Sequence, residues 1–386
     1  MTDALSWLER RTRKTSTRAW LTFLFALPLL KGLVNRTLEG GRSFADDFEA
    51  VLCAGRNALA GAVYYGEAGT CADISHTPYV YLPWVAEGAG RAIGVLGETG
   101  FQLAYAVIYA ALAAFMLFCV FVSRRAPGRF AERILFLGLI TGSALALGNV
   151  AIPLHALILG GALLVTTSVL PLALAIGLAG AVKPLLLTFG VVFLLAPISW
   201  PRKILGGVAA LAIALPPWVL SLQAGGPQID AWLAVTREMA VDVAPGDGFW
   251  GWLALFGVPG TEPTAIVAYL VFALALVGCG WAVAANGGLS ARERVWLGLA
   301  VGVLIIPRLM AIDVFLLAPG LLALLVAARD RATSSFQTAS WLVVGGAALG
   351  LLLDLVDAGD YAVKIALLAF CLAIVWVGVR LLPKSG

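Results

Sequence analysis

LAIGLAGAVKPLLLTFGVVFLL, residues 174–195, is an apolar stretch broken at one place, by Lys183-Pro184. A lysine among hydrocarbon side chains is costly and tends to be kept for ion, proton or substrate work. Pro184 has no backbone N–H and cannot continue the ladder of the preceding turn. The stretch therefore divides at Lys183 into two apolar runs, each shorter than the ~20 residues a helix needs to cross a ~30 Å core. Short runs of this kind need neighbours to bury them, and the ammonium between them needs headgroups or a polar cavity.

Working outward from this point, apolar runs recur at 17–37, 101–123, 134–148, 149–167, 169–182, 184–199, 204–222, 263–285, 294–306, 309–328, 338–356 and 361–382. The 386 residues are 61% hydrophobic and 12% charged, whereas soluble domains are about 45–50% apolar and about 25% charged. The expected fold is an all-α polytopic integral membrane protein, a single transmembrane domain over 1–386 with about twelve transmembrane helices. The run Trp20 to Val34 follows Arg10-Arg11-Thr12-Arg13-Lys14, as a signal peptide would, but no small-residue cleavage site follows it. It reads as a retained first helix.

Basic residues set the orientation. Arg10 to Arg18, Arg124-Arg125 with Arg129 and Arg133, Arg202-Lys203, Arg292 with Arg294, Arg329 with Arg331, and Arg380 to Lys384 fall on one side of a twelve-span threading. With both termini cytoplasmic, about 17 of the 26 Lys/Arg face inward and about 17 of the 22 Asp/Glu face outward. The net charge of +4 then reflects membrane anchors and implies no nucleic-acid partner. Two long segments are extracytoplasmic, 38–100 and 223–262. The first carries periodic stretches at Phe48 to Leu59 and Val85 to Leu96, expected as helices lying along the bilayer. The second carries Trp232, Trp250 and Trp252, suited to the headgroup boundary.

Cys119, Cys279 and Cys371 lie singly in apolar runs and read as small buried hydrophobes. Cys53 and Cys71 share the first outer loop, where an oxidising compartment permits a disulfide. Two histidines, His76 and His155, and no His/Cys/carboxylate cluster make a zinc site improbable and leave a divalent cation on carboxylate oxygens open. The chain has no Walker loop, Rossmann glycine fingerprint, H-E-x-x-H or G-x-S-x-G. Nucleotide-driven and common hydrolase chemistries lack support.

The chemistry-bearing candidates gather at the outward turns. Asp46 and Asp47 precede a periodic apolar run, so one can cap the helix while the other takes a proton from a hydroxyl. Lys183 and Arg308 are cations suited to phosphate oxygens, and Arg308 alone offers a planar fork. The plainer alternatives are a snorkelling lysine and an Arg308–Asp313 ion pair tying two helices together. Asn149 follows Gly148 and is expected to cap a helix or bind a sugar hydroxyl, and His155 to hydrogen-bond between helices or act on substrate. Tyr79 and Tyr81, within Thr77-Pro78-Tyr79-Val80-Tyr81-Leu82-Pro83-Trp84, give a rigid aromatic edge for sugar or lipid, or an interfacial anchor.

In order along the chain, Asp47-Phe48, Ala54-Gly55-Arg56, Leu59-Ala60-Gly61, Tyr64, Tyr81-Leu82-Pro83-Trp84, Gly148-Asn149 and Lys183-Pro184 resemble blocks of the polytopic GT-C glycosyltransferases. The likeness is especially to glycosyltransferase family 87 (formerly DUF2029), related to polyprenyl-phosphomannose-dependent mannosyltransferases. The resemblance implies Asp47 as general base with Asp46 as alternate. It also implies a polyprenyl-phosphate sugar donor held by Lys183 and Arg308, and inversion at the anomeric carbon. Asn149, His155, Tyr79, Tyr81 and Asp313 are the expected substrate contacts. The chain departs from the family where it reads Gly246-Asp247-Gly248-Phe249-Trp250 and where the tyrosine block lacks one proline.

The expected function is an inverting transfer of a hexose, mannose among the candidates, to an extracytoplasmic lipid or glycan acceptor. It would take place at the outer face of a bacterial inner membrane, with no cofactor assigned and a divalent cation left open. A multi-spanning transporter or lipid-sugar flippase is the rival, and a noncatalytic envelope scaffold the third reading.

Overall fold

The computed structural model describes residues 9–26, 45–71, 74, 78–139, 145, 147–355 and 359–382. Among them the chain is helical without strands, an all-α membrane protein. Among the described residues, five helices are long and apolar enough to span a bilayer: Pro83–Val122, Trp200–Ala224, Pro263–Asn286, Ala311–Arg331 and Val363–Leu381. Of the 17–37 run, Thr15–Ala26 is helical and the remainder lies outside the described residues, as do 38–44 and most of 140–146.

The interrupted stretch folds as its two halves predict. Leu170–Val182 is an α-helix ending at Lys183, whose φ of −134° is extended, and Pro184–Gly190 follows as a 3-10 turn leading into Val191–Leu195. Ala151–Leu164 precedes them as another short apolar helix. Both short helices are apolar around most of their circumference because neighbours enclose them. Close approach relies on glycine: a Cβ on Gly161 would come within 2.7 Å of Leu172 Cα, and one on Gly320 within 2.3 Å of Trp296 O. Small residues at such crossings let helix backbones pack where hydrocarbon burial alone provides no drive.

The outer-loop helix over Val85 to Leu96 and the run from 101 form one element, Pro83–Leu117, broken at Gly97. Gly97 has φ 69° and ψ 165°, a conformation that side-chain-bearing residues seldom adopt. Its first half packs on Asp46–Leu59, where a Cβ on Gly90 would stand 2.8 Å from Gly55 O. Beside the break, Arg56 forms a two-point ion pair with Glu98, with Nε donating to Oε2 at 2.6 Å.

Several helices run between two chemically different ends. At one end Arg18 pairs with Glu9 and lies over the Phe130 ring, and Arg133 donates to Val120 O and Ser123 O. Arg329 feels Glu132 and Glu293, and Lys203 feels Arg294. Helices Trp200–Ala224, Ala291–Leu304 and Leu317–Arg331 each have one terminus in this basic zone. Their other termini lead toward Trp218, Arg308 and Asp313 at the opposite end.

Residues 223–262 fold as helix Pro227–Arg237, a π-helical turn over Glu238–Val243 and the short helix Phe249–Ala254. Two of the tryptophans expected at the headgroup boundary are held by protein contacts. Trp232 is buried with its indole N–H on Val80 O at 3.1 Å, and Trp252 donates to Lys364 O at 3.1 Å. A buried indole N–H seeks an acceptor, and backbone carbonyls of neighbouring segments provide it.

Candidate functional site

A cavity of about 560 Å³ opens at the end of the molecule away from the basic zone, walled by Asp47, Tyr81, Asn149, Lys183, Arg308, Trp218, Trp232 and Trp250 among others. Residues separated by more than 250 positions in the chain therefore meet in one space. Charge and amide groups occupy part of the wall, and Ala50, Val80, Val182, Leu185, Met239 and Met310 make much of the rest apolar. In such surroundings electrostatic interactions are stronger than in water.

Asp47 opens the Asp46–Leu59 helix. Its backbone N–H donates to Leu147 O at 3.0 Å, and the Asn149 amide donates to Asp47 Oδ2 at 2.7 Å. Asn149 Oδ1 in turn accepts from the Ala151 N–H at 2.8 Å. One side chain thus starts the next helix, the capping role expected of Asn149, and also holds the Asp47 carboxylate, a contact the sequence did not suggest. Gly148, at φ 61°, permits this approach: a Cβ there would lie 2.7 Å from Ala45 Cβ. Phe48, next to Asp47, stacks on Tyr105 with ring centroids 3.9 Å apart. The Asp46 side chain lies outside the described residues.

Lys183 stands at the break that opened the sequence reading. Its Nζ donates to Asp313 Oδ1 at 3.2 Å, while Asp313 Oδ2 accepts the Met310 N–H at 3.0 Å. Asp313 is fully buried, and His155 Nε2 lies 3.5 Å from the same Oδ1. Two expectations are corrected. Asp313 pairs with Lys183 rather than Arg308, because the turn at 311–316 brings its carboxylate under the end of the Leu170–Val182 helix. Asp313 and His155 stand behind the cavity wall with no exposed surface: Asp313 pairs with Lys183, and His155 packs edge-on against Phe189 beside that carboxylate instead of lining the cavity.

Arg308 lines the cavity and donates from Nε to Ala244 O at 2.7 Å. Burial lowers its pKa from the ordinary value, with the Asp313, Tyr81 and Asp47 charges acting the other way. Tyr81 reaches the cavity, but Tyr79 does not: it is buried, donates to Leu82 O at 2.9 Å and packs among Tyr64, Tyr65 and Tyr81. Burial, then the Asp47 and Asp313 carboxylates, push the Tyr81 phenol up, while Arg308 pulls it down.

Cys53 and Cys71 form a disulfide. Among the described residues no group of three or more His, Cys, Asp or Glu side chains is arranged to hold a metal ion.

The aromatic wall was not legible as a site in the sequence. Trp218 and Trp232 meet edge to face at 5.3 Å, and their N–H groups are taken by Gly180 O and Val80 O. With those groups occupied, the two indoles offer the cavity carbon surface only. No family model, curated protein or solved structure matches the chain.

Proposed function

We propose that the protein is a GT-C-like inverting glycosyltransferase of about twelve spans that uses a polyprenyl-phosphate sugar at the outer face of a bacterial inner membrane. The observation that carries this reading is the shared cavity. A carboxylate oriented by an amide, Asp47 with Asn149, and two cations, Lys183 and Arg308, line one partly apolar space. A base, a phosphate clamp and carbon-rich walls are what transfer between a lipid-linked sugar and a hydroxyl requires.

In this reading Asp47 removes the acceptor hydroxyl proton as the oxygen attacks the anomeric carbon. The bond from that carbon to the phosphate oxygen breaks, and its electron pair leaves with polyprenyl phosphate. Lys183 and Arg308 offset the charge gained by the departing phosphate, and Asp47 later releases its proton to water. The fixed Asp47–Asn149 and Lys183–Asp313 contacts supply orientation before the substrates arrive.

The test is incubation of purified protein with polyprenyl-phosphate hexoses and envelope extract, followed by mass spectrometry for free polyprenyl phosphate and a new glycoside. Release of the lipid phosphate that requires both protein and acceptor supports the assignment. Translocation of lipid-linked sugar in proteoliposomes with no new glycosidic bond would replace it with the flippase reading.

A further inference from the structure

The segment that departs from the family pattern, Gly246-Asp247-Gly248-Phe249-Trp250, wraps the chain that carries Arg308. The Asp247 N–H donates to Leu309 O at 2.6 Å, and the Trp250 N–H to Pro307 O at 3.0 Å. Arg308 answers by donating to Ala244 O at 2.7 Å. The residue before and the residue after Arg308 are thus held by backbone bonds, and its own guanidinium is tied to the same segment. Glycine is required for this fit: a Cβ on Gly246 would stand 2.5 Å from Leu309 O, and one on Gly248 2.9 Å from Ile306 O.

The wrapping segment has its own anchor on the last helix, Gly359–Leu381. Lys364 Nζ lies 3.2 Å from Asp247 Oδ1, with both side chains about five-sixths buried (17% exposed). Lys364 O accepts the Trp252 indole N–H at 3.1 Å, and Phe249 stacks on Phe272. Lys364 is outside the cavity wall, so it has no direct route to a ligand there.

We propose that the Asp247–Lys364 pair is a latch that holds Arg308 in its cavity-facing position, making Lys364 a positioning residue for a phosphate-bearing lipid. The inference rests on the reading of Arg308 as a phosphate binder, and it adds a dependence of that site on the final helix. An ion pair buried to this degree is sensitive to removal of one partner, because the other charge loses a close compensating contact away from water.

The experiment has one arm without ligand and one with polyprenyl phosphate. In detergent-solubilised protein without ligand, Lys364→Met is expected to speed amide hydrogen exchange across 244–252, while Lys364→Arg leaves it near the wild-type rate. In the second arm, polyprenyl phosphate should bind Lys364→Met and Arg308→Gln each about tenfold more weakly than wild type. The double variant should be no weaker than Arg308→Gln alone, because both changes remove the same contact. If Lys364→Met does not fold, Asp247→Asn reads the same pair.

Unchanged exchange in the first arm overturns the latch. Faster exchange with wild-type affinity overturns its functional role, as do additive losses in the double variant. A wild-type protein that shows the exchange pattern but binds no polyprenyl phosphate overturns the donor reading while leaving the Asp247–Lys364 anchor in place as a structural element only.

Discussion

Lys183 Nζ and Asp313 Oδ1 lie 3.2 Å apart although 130 residues separate them. The contact joins the end of one short helix to the turn that opens another, on a carboxylate with no exposed surface. Removing either charge alone strands the other, so Lys183→Met or Asp313→Leu is expected to cost about 3–5 kcal/mol. The double variant should cost clearly less than the sum. Thermal unfolding in detergent of the four proteins measures this, and simple additivity would mean that the pair contributes no coupling.

The Asn149–Asp47 hydrogen bond, at 2.7 Å, separates orientation from charge. Asp47→Asn should abolish transfer and leave polyprenyl-phosphate binding near wild type, since Lys183 and Arg308 are intact. Asn149→Ala removes both the helix cap and the carboxylate's partner, at about 1 kcal/mol in stability. Its turnover should fall by about 10²-fold with little change in donor affinity. Comparing kcat with donor Kd for the two variants decides the matter; full turnover in Asp47→Asn would remove that residue from the base role.

Much of this site was legible because charge is scarce in an apolar chain. Lys183 breaks 174–195 at the point where the structure places a cavity wall, and Asp47 and Arg308, singled out on the same grounds, line that cavity with Asn149, picked as a turn residue, and Tyr81, picked from an aromatic edge. Depth behind the wall was not legible. Asp313, His155 and Tyr79 have the same residue chemistry as lining groups, and only three-dimensional packing puts them behind Lys183 and Tyr81. Trp232 and Trp250 were missed as wall residues because a tryptophan near a membrane boundary has an ordinary anchoring explanation, and Trp218 was not singled out within its apolar run. The break at Gly97 illustrates a similar limit: two stretches were evident from periodicity, but their fusion into one bent helix depends on a glycine with φ 69°.

The Cys53–Cys71 bridge spans 18 positions and pins the segment after the Asp46–Leu59 helix. Asn57 adds a side-chain bond to Gly69 O at 3.0 Å across the same loop. Constraint of a loop of this length in the unfolded chain is worth about 3 kcal/mol. Replacing both cysteines by serine should therefore lower the unfolding temperature and expose 60–71 to limited proteolysis. An unchanged proteolysis pattern would show that packing on the tyrosine cluster holds the loop without the bridge.

That tyrosine cluster gives an alkaline signature. Burial is the first cause raising the phenols of Tyr64, Tyr65, Tyr79 and Tyr81 above 10.0. Below pH 10 these phenols are protonated in folded and unfolded chains alike, and their full contribution to stability is present. Above it the unfolded chain releases protons that the folded chain retains, so stability falls by about 1.4 kcal/mol per pH unit for each such phenol. Tyr65→Phe loses the hydrogen bond to Tyr81 O, at 2.6 Å, and should be about 1 kcal/mol less stable than wild type at pH 8. Because it also lacks one suppressed ionisation, its deficit should shrink or reverse by pH 11. Unfolding measured in parallel for the two proteins cancels the alkaline titrations that do not couple to Tyr65, and a deficit equal at both pH values would rule out the buried Tyr65 phenol as a source of the alkaline loss.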